Sequence, residues 1–273
     1  MDASTRRVFY YHANATPIGG HFTKPNDVIV HSHGSSSLAQ AGGHAAARVS
    51  GFHPADKLVS FDEAYSEIHG VSAKNGSWTT EVTSVVEGLN VLDMVTADRV
   101  IAKLVVEHPA NGGHAKASVA DSKFENLVIN KDKITPVLAK NALPPHKKGK
   151  YPDWSITEDA TFIKRAVTQS QKAIAAKGAP AWIKPRYSWV QSKGARKRKG
   201  YVQCSLVDKV QGAKPGSCFG HVIHVPDFGN IFLGELLTSH HVFRLTMLRL
   251  EMGCDNHGTT SIGSGDSNGT TSP

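Results

Sequence analysis

Fifteen histidines in 273 residues are the side chains whose type and spacing most invite chemistry. A neutral imidazole ligates divalent metals, and its proton exchanges near neutral pH. His31-Ser32-His33 follows Val28-Ile29-Val30. A strand continued through it would send His31 and His33 to one face, at a spacing one metal ion can bridge. Metal barrels of the cupin type follow His-x-His with a Glu a few residues on. Here Gly34-Ser35-Ser36-Ser37-Leu38 stands instead. Cys218-Phe219-Gly220-His221-Val222-Ile223-His224 is a second candidate set. On a strand Cys218 and His224 share a face and His221 takes the other. His31, His33, His221 and His224 are therefore the candidate ligands for a divalent metal. If the fold united them, they would suit a metal-dependent hydrolase. The competing reading is surface histidines plus one buried, hydrogen-bonded ring. His240-His241 point opposite ways on a strand and are weaker candidates.

Other chemistry has little local support. No Gly-x-Ser-x-Gly elbow is present, because Gly34-Ser35-Ser36-Ser37 lacks the second Gly. Asp62, Glu63, Glu67, Asp227, Glu235 and Glu251 could include an acid/base pair, but no spacing singles one out. Gly212-Ala213-Lys214-Pro215-Gly216-Ser217 is not a phosphate-binding loop, since its Pro and its spacing are wrong. The three cysteines, Cys204, Cys218 and Cys254, form no Cys-x-x-Cys. They allow one disulfide and a free thiol after export, or three reduced thiols in the cytosol.

Charge is distributed unevenly. Residues 144–199 hold ten Lys and four Arg against Asp153, Glu158 and Asp159. That is a net +11 in one block, which leaves −3 for the rest of a chain whose total is +8. The block also holds Trp154, Trp182, Trp189, Tyr151 and Tyr187. Cations interleaved with flat rings suit an anionic polysaccharide or a nucleic acid. Lys147, Lys148, Trp182, Arg186, Trp189, Arg196 and Arg198 are the candidate contacts. The competing reading is a solvated insertion whose rings pack on the core. Arg196-Lys197-Arg198-Lys199 between Gly194 and Gly200 reads as an exposed hairpin loop or a basic targeting patch.

The positioning elements are mostly strands. Residues 8–11, 28–30, 47–49, 58–61, 78–82, 100–106, 201–210, 219–225, 229–237 and 242–252 are β-branched or aromatic runs. Gly, Asn, Pro and Ser clusters separate them. Ser84–Val91 with Val95-Thr96 resembles Ser122–Ile129 with Ile134-Thr135, which reads as a duplicated strand-turn-strand bent at Gly88 and at Asn126. One helix is expected. Ser155-Ile156-Thr157-Glu158 fits a capping box, and Phe162, Ile163, Ala166, Val167, Ser170, Ala173 and Ile174 follow at helical spacing. Gly178 and Pro180 end it, with Lys164, Arg165, Gln169 and Lys172 toward solvent. In residues 242–252, alternation sets Leu245, Met247, Arg249 and Glu251 on one face and Thr246, Leu248, Leu250 and Met252 on the other.

The expected fold is mainly β, an antiparallel β-sandwich or barrel with one amphipathic α-helix in a basic insertion. Residues 8–143 and 200–254 form one discontinuous β-rich domain, 144–199 the basic helical insertion, and 255–273 a disordered Gly/Ser/Thr tail. No apolar run approaches the length of a membrane-spanning helix, and residues 1–7 carry no apolar leader segment. Either the protein is cytoplasmic or a leader has been removed.

Gly88-Leu89-Asn90-Val91, Val95-Thr96-Ala97-Asp98 and the run from Val225 to Glu235 resemble β-rich bacterial surface proteins of the choice-of-anchor type. The likeness covers residues 10–140 and 200–254. It implies an exported, largely antiparallel β-protein and supplies no active-site residues. The basic helical block and the missing leader depart from it.

These readings favour a secreted or surface-associated protein with a binding or structural role. It would contact an anionic polymer through the basic block. The alternatives are the metal-dependent hydrolase and a self-assembling β-protein that forms homo-oligomers through exposed strand edges.

Overall fold

A computed structural model describes residues 7–55, 58–139, 141–144, 151–152, 155–253 and 257–272. The principal strands are β1 (Ala13–Phe22), β2 (Val28–His33), β3 (Gly43–Phe52), β4 (Val59–Ser72), β5 (Trp78–Val91), β6 (Val95–His108), β7 (Tyr201–Ser205), β8 (Val222–Val225), β9 (Gly229–Ser239), β10 (Phe243–Gly253) and β11 (His257–Ser267). Sheet I has the order Asp132–Lys133, Val128–Ile129, β6, β5, β4, β3, with Lys116–Ser118 and Lys123–Glu125 also on β6. Sheet II has the order Cys218–Phe219, β8, β9, β10, β11, β1, β2, with β7 beside β9 and Ser36–Ser37 beside β1. All these pairings are antiparallel. The sheets pack face to face over one apolar core that includes Ile18, Phe22, Phe61, Ile68, Val86, Val100, Leu104, Leu233, Leu245 and Leu250. Neither sheet closes into a barrel. The fold is the expected mainly-β, sandwich-like one. No helix among the described residues is long and apolar enough to cross a membrane.

The repeat acquires a geometric meaning. Its two copies flank β6 in the same register. Glu87 and Glu125 both stand opposite Arg99, and Val86 and Phe124 opposite Val100. Asn90 and Val128 stand opposite Thr96, and Val91 and Ile129 opposite Val95. The bends fall at Gly88 (φ 62°) and Asn126 (φ 47°), the two residue types that best tolerate left-handed backbone.

The expected disordered tail is overturned. Residues 257–267 form β11, which lies inside sheet II between β10 and β1, and 270–272 pair with Val8–Tyr10. Small residues are what this position needs. A Cβ on Gly265 would lie 2.8 Å from a Val82 methyl of sheet I, and one on Gly263 3.3 Å from Val100. Gly, Ser and Thr here signal close approach of two sheets rather than solvation.

A second feature runs across sheet II. Glu235 pairs Thr246 and Leu233 pairs Leu248, with Gly234 and Met247 between. On β11, Ser264 and Ile262 bracket Gly263; on β1, Thr16 and Ile18 bracket Pro17. Gly234 and Gly263 have φ of 59° and 61°, and Pro17 has no N–H to donate. Along this line through four strands, the inward/outward alternation slips by one residue. The faces expected for residues 242–252 are corrected accordingly. Leu245, Met247, Leu248, Leu250 and Met252 are buried in the core, while Arg244, Thr246, Arg249 and Glu251 face outward.

The helical block sits on the outward face of sheet II. Ser155 caps a short 3₁₀ turn (Ile156–Glu158) instead of the long helix. Asp159 caps α1 (Ala160–Ala175) by accepting from the Phe162 N–H at 2.8 Å. Phe162, Ala166, Ser170 and Ala173 are buried on α1, as the spacing required. Arg165 and Gln169 do not face open solvent as expected. Arg165 donates to the Ser205 carbonyl and pairs with Asp208; Gln169 donates to the Ser205 and Val207 carbonyls. They tie α1 to the end of β7. Two further helices, α2 (Ile183–Tyr187) and α3 (Lys193–Lys199), follow. Arg196 to Lys199 thus form a helix and not a hairpin loop. Ser192 caps its start, and Gly200 (φ 72°) ends it.

Two changes test the role of the C-terminal strand. Removal of residues 254–273 deletes a central strand and is expected to abolish the cooperative thermal transition followed by circular dichroism. Gly263→Ala forces a side chain into left-handed backbone beside Met247 and is expected to cost about 1–3 kcal/mol in denaturant unfolding. A truncated chain melting like the full one would refute the assignment of β11.

Candidate functional site

The alternation slip gathers a charged cluster on the outward face of sheet II, under the helical block. Glu235 from β9 is buried and accepts from Arg249 of β10 through both oxygens, at 2.5 and 2.8 Å. Gln203 of β7 donates to the same carboxylate at 3.1 Å. Arg249 also bonds Glu251. Glu251 is held in a two-point pair by Arg186 of α2, at 2.7 and 3.1 Å. The two guanidiniums lie over the Phe232 ring, their Cζ atoms 3.8 Å (Arg249) and 4.5 Å (Arg186) from its centre. Such bidentate, ring-stacked contacts are what guanidinium geometry allows and an ammonium does not.

Burial opposes ionisation of Glu235, but the hydrogen bonds and charge of Arg249 outweigh it, so its carboxyl is held below the usual range. The neighbouring His221 is buried. Burial pushes its pKa down to about 4, with Arg249 and Arg186 adding to the fall and Glu235 opposing it. The Tyr187 hydroxyl lies 3.1 Å from His221 Nε2 and is itself driven upward by burial. At neutral pH the ring is uncharged and shares a hydrogen bond with the Tyr187 hydroxyl through Nε2.

Beside this network lies an open cavity of about 240 Å³ lined by Arg186, Gln203, Glu235, Leu237, Arg244, Thr246, Arg249 and Ser261. Arg244 is exposed at its rim, opposite Leu237 and Asp266 in the ladders, and makes no ion pair among the described residues. Gln203 and Tyr201 alternate onto one face of β7, about 7 Å apart along the strand. Tyr201 meets Trp189 edge to face at 5.1 Å, and Lys199 Nζ lies 5.0 Å from the Trp189 ring and 5.6 Å from the Tyr201 ring. A strip of cations and rings therefore runs from α3 along β7 to the cavity.

The expected contact residues divide into three groups. Trp189, Arg196 and Arg198 gather at α3, where Arg196 also donates to the Val190 carbonyl. Trp182 and Arg186 pack on Phe232, and Arg186 also lines the cavity. Lys147 and Lys148 lie outside the described residues.

The expected metal ligands do not assemble. On β2, His31 and Ser32 together stand opposite the single residue Gly19, because Val30 pairs Gly20 and His33 pairs Ile18. This bulge breaks the alternation that would have put both histidines on one face. His33 turns inward against Phe52 and Phe61, at 4.3 and 5.6 Å, while His31 is exposed. His221 bonds Tyr187, and His224 Nδ1 lies 2.9 Å from Asn230 on the neighbouring strand. None of the four belongs to a group of three donors within ligating distance among the described residues. Cys204 and Cys218 are free thiols; burial raises both, Cys204 to about 12, which leaves it inert at neutral pH.

The Glu235, Arg249 and Gln203 constellation escaped sequence reading because strict alternation placed Arg249 and Thr246 on opposite faces. The available signal was Gly234 inside the otherwise strong run of β9.

Two expectations follow. Arg249→Met leaves the buried Glu235 without its cation and should cost about 3–5 kcal/mol of stability, measured by urea unfolding. His221 and His108 are both depressed to about 4 by burial, so the unfolded chain takes up their protons first as pH falls. Stability should be full above pH 6.5 and fall between 6.5 and 4, by about 3 kcal/mol per histidine. A flat urea midpoint across that window would show that neither ring is buried neutral.

The family model of a domain of unknown function (DUF8256) matches residues 9–239, which span sheet I, the helical block and sheet II as far as β9. No curated protein and no solved structure matches the chain.

Proposed function

We propose, for a chain that belongs to the DUF8256 family, that it is a non-enzymatic binding protein whose helical block takes up an anionic polymer. One observation carries the reading. Lys193, Arg196, Lys197, Arg198 and Lys199 stand on one short helix with no acidic partner among the described residues, next to the Trp189 and Tyr201 rings. Several cations elsewhere on the molecule do have acidic partners. Arg48 pairs Glu63, Arg99 pairs Glu87, Lys103 pairs Glu81 and Lys116 pairs Glu107. Within the block Arg165 pairs Asp208 and Arg186 pairs Glu251, so among the described residues the cations of α3 are its concentrated unpaired charge.

The polymer's charged groups would lie along α3 and reach Arg244 at the cavity rim. A sugar ring or base would stack on the half-exposed Trp189 and Tyr201. Arg186 and Arg249 are committed to Glu251 and Glu235 and shape the wall rather than supply free charge. A secreted or surface-associated setting, in keeping with the resemblance to choice-of-anchor proteins, would expose the block to such polymers. No step of catalysis enters this reading.

The test is a salt titration of binding to a sulfated polysaccharide and to single-stranded DNA, followed by fluorescence anisotropy. Affinity is expected to fall steeply with salt. Replacing Arg196, Lys197, Arg198 and Lys199 with Glu should remove roughly 0.7 per lost contact from the slope of log K against log salt. Trp189→Ala should weaken binding with little change in slope. Affinity that ignores salt, or survives the charge reversal unchanged, would discard the proposal. A preference for one polymer identifies the natural class.

A further inference from the structure

A different constellation lies on sheet I and includes none of the histidines singled out by spacing. Strand β3 is an edge strand, paired only to β4. His44 on β3 stands directly opposite His69 on β4. Their rings are stacked, with centres 4.5 Å apart and planes 16° from parallel. Glu67, two residues before His69 on the same face of β4, sends one oxygen, Oε1, to both rings. It lies 2.9 Å from His69 Nε2 and 3.3 Å from His44 Nε2. The donor atoms of the three residues all lie within 4.8 Å of one another, and no other such group occurs among the described residues.

We propose that His44, Glu67 and His69 bind a single divalent transition-metal ion, with zinc the best match. Two neutral imidazoles and one carboxylate are the donor set that borderline metals favour, and zinc accepts three protein ligands with a fourth position open. Tetrahedral bonds of about 2.0–2.1 Å set neighbouring ligand atoms roughly 3.3 Å apart. The two separations from Glu67 Oε1, 2.9 and 3.3 Å, are near that value, and the two ring nitrogens, within 4.8 Å of each other, would draw together on the ion. Glu81, opposite His69 in the next ladder, is held by Lys103 at 2.7 Å and leaves the fourth position to water.

The three side chains are about half exposed, so the ion would exchange with solvent. Its bonds would run from β3 to β4 and staple the edge strand, whose outer N–H and C=O groups are otherwise a template for another chain. This inference is independent of the polymer-binding reading, because it involves the other sheet and no residue of the helical block.

The experiment is isothermal titration of the chelator-treated full chain with Zn²⁺, paired with visible absorption on Co²⁺ addition. One equivalent is expected to bind, with the intense visible bands of a four-coordinate cobalt site. His44→Ala and His69→Ala should each weaken uptake at least about a hundredfold, and Glu67→Gln about tenfold or more. All three residues are exposed, so unchanged circular dichroism is expected to accompany the loss. A His31→Ala/His33→Ala double variant should bind as the parent does. Absence of a stoichiometric site, or uptake that persists in both His44→Ala and His69→Ala, would overturn the assignment.

Discussion

The shared slip in alternation across β9, β10, β11 and β1 is the constraint on which the rest depends. A sheet with regular pleating would carry Arg249 and Glu251 on the same face as Leu245 and Met247, inside the sandwich. Two ion pairs would then lie in an apolar core, where desolvation exceeds what their attraction returns. One residue out of step on every strand avoids this. Leucines point inward on both sides of the line, and Glu235, Thr246, Arg249 and Glu251 all point outward. The step must occur on all four strands together, because directly paired residues share a face. Glycine with positive φ at 234 and 263, and proline at 17, are the residues that permit it.

What covers that outward face follows from the same constraint. Phe232 emerges beside the arginines and would be exposed without the helical block. Trp182, Ile183 and Tyr187 close over it, joined by Ala173 of α1. Arg186 reaches back to Glu251, so one ion pair fixes α2 to the sheet while its guanidinium packs on the ring. The block thus spends its apolar surface and two of its arginines on docking. The cations of α3 are left without acidic partners among the described residues.

Some of this was legible from residue order. Most strands show in their β-branched runs, the α1 stripe in its spacing, and the duplicated bend in Gly88 and Asn126. The capping shift from Ser155 to Asp159 was not legible, since both residues fit the start of a helix and only the 3₁₀ turn between them decides. His31 and His33 failed as a pair because a bulge is invisible to a period-two rule. His44 and His69 meet because strand register placed residues 25 positions apart side by side. Composition misled most at residues 257–267, where Gly, Ser and Thr fit a solvated tail and a tightly packed central strand equally well.

The sequence by itself determined the β-rich class, the one long amphipathic helix and the concentration of positive charge in a single block. These are local or additive properties: side-chain branching, periodicity and charge do not depend on what lies opposite. Only the tertiary structure decided which charges are used up and which are free. It also decided which histidines meet and which strand needs no side chains. Those outcomes depend on pairing register and sheet spacing, where one residue of slip moves a side chain from core to solvent.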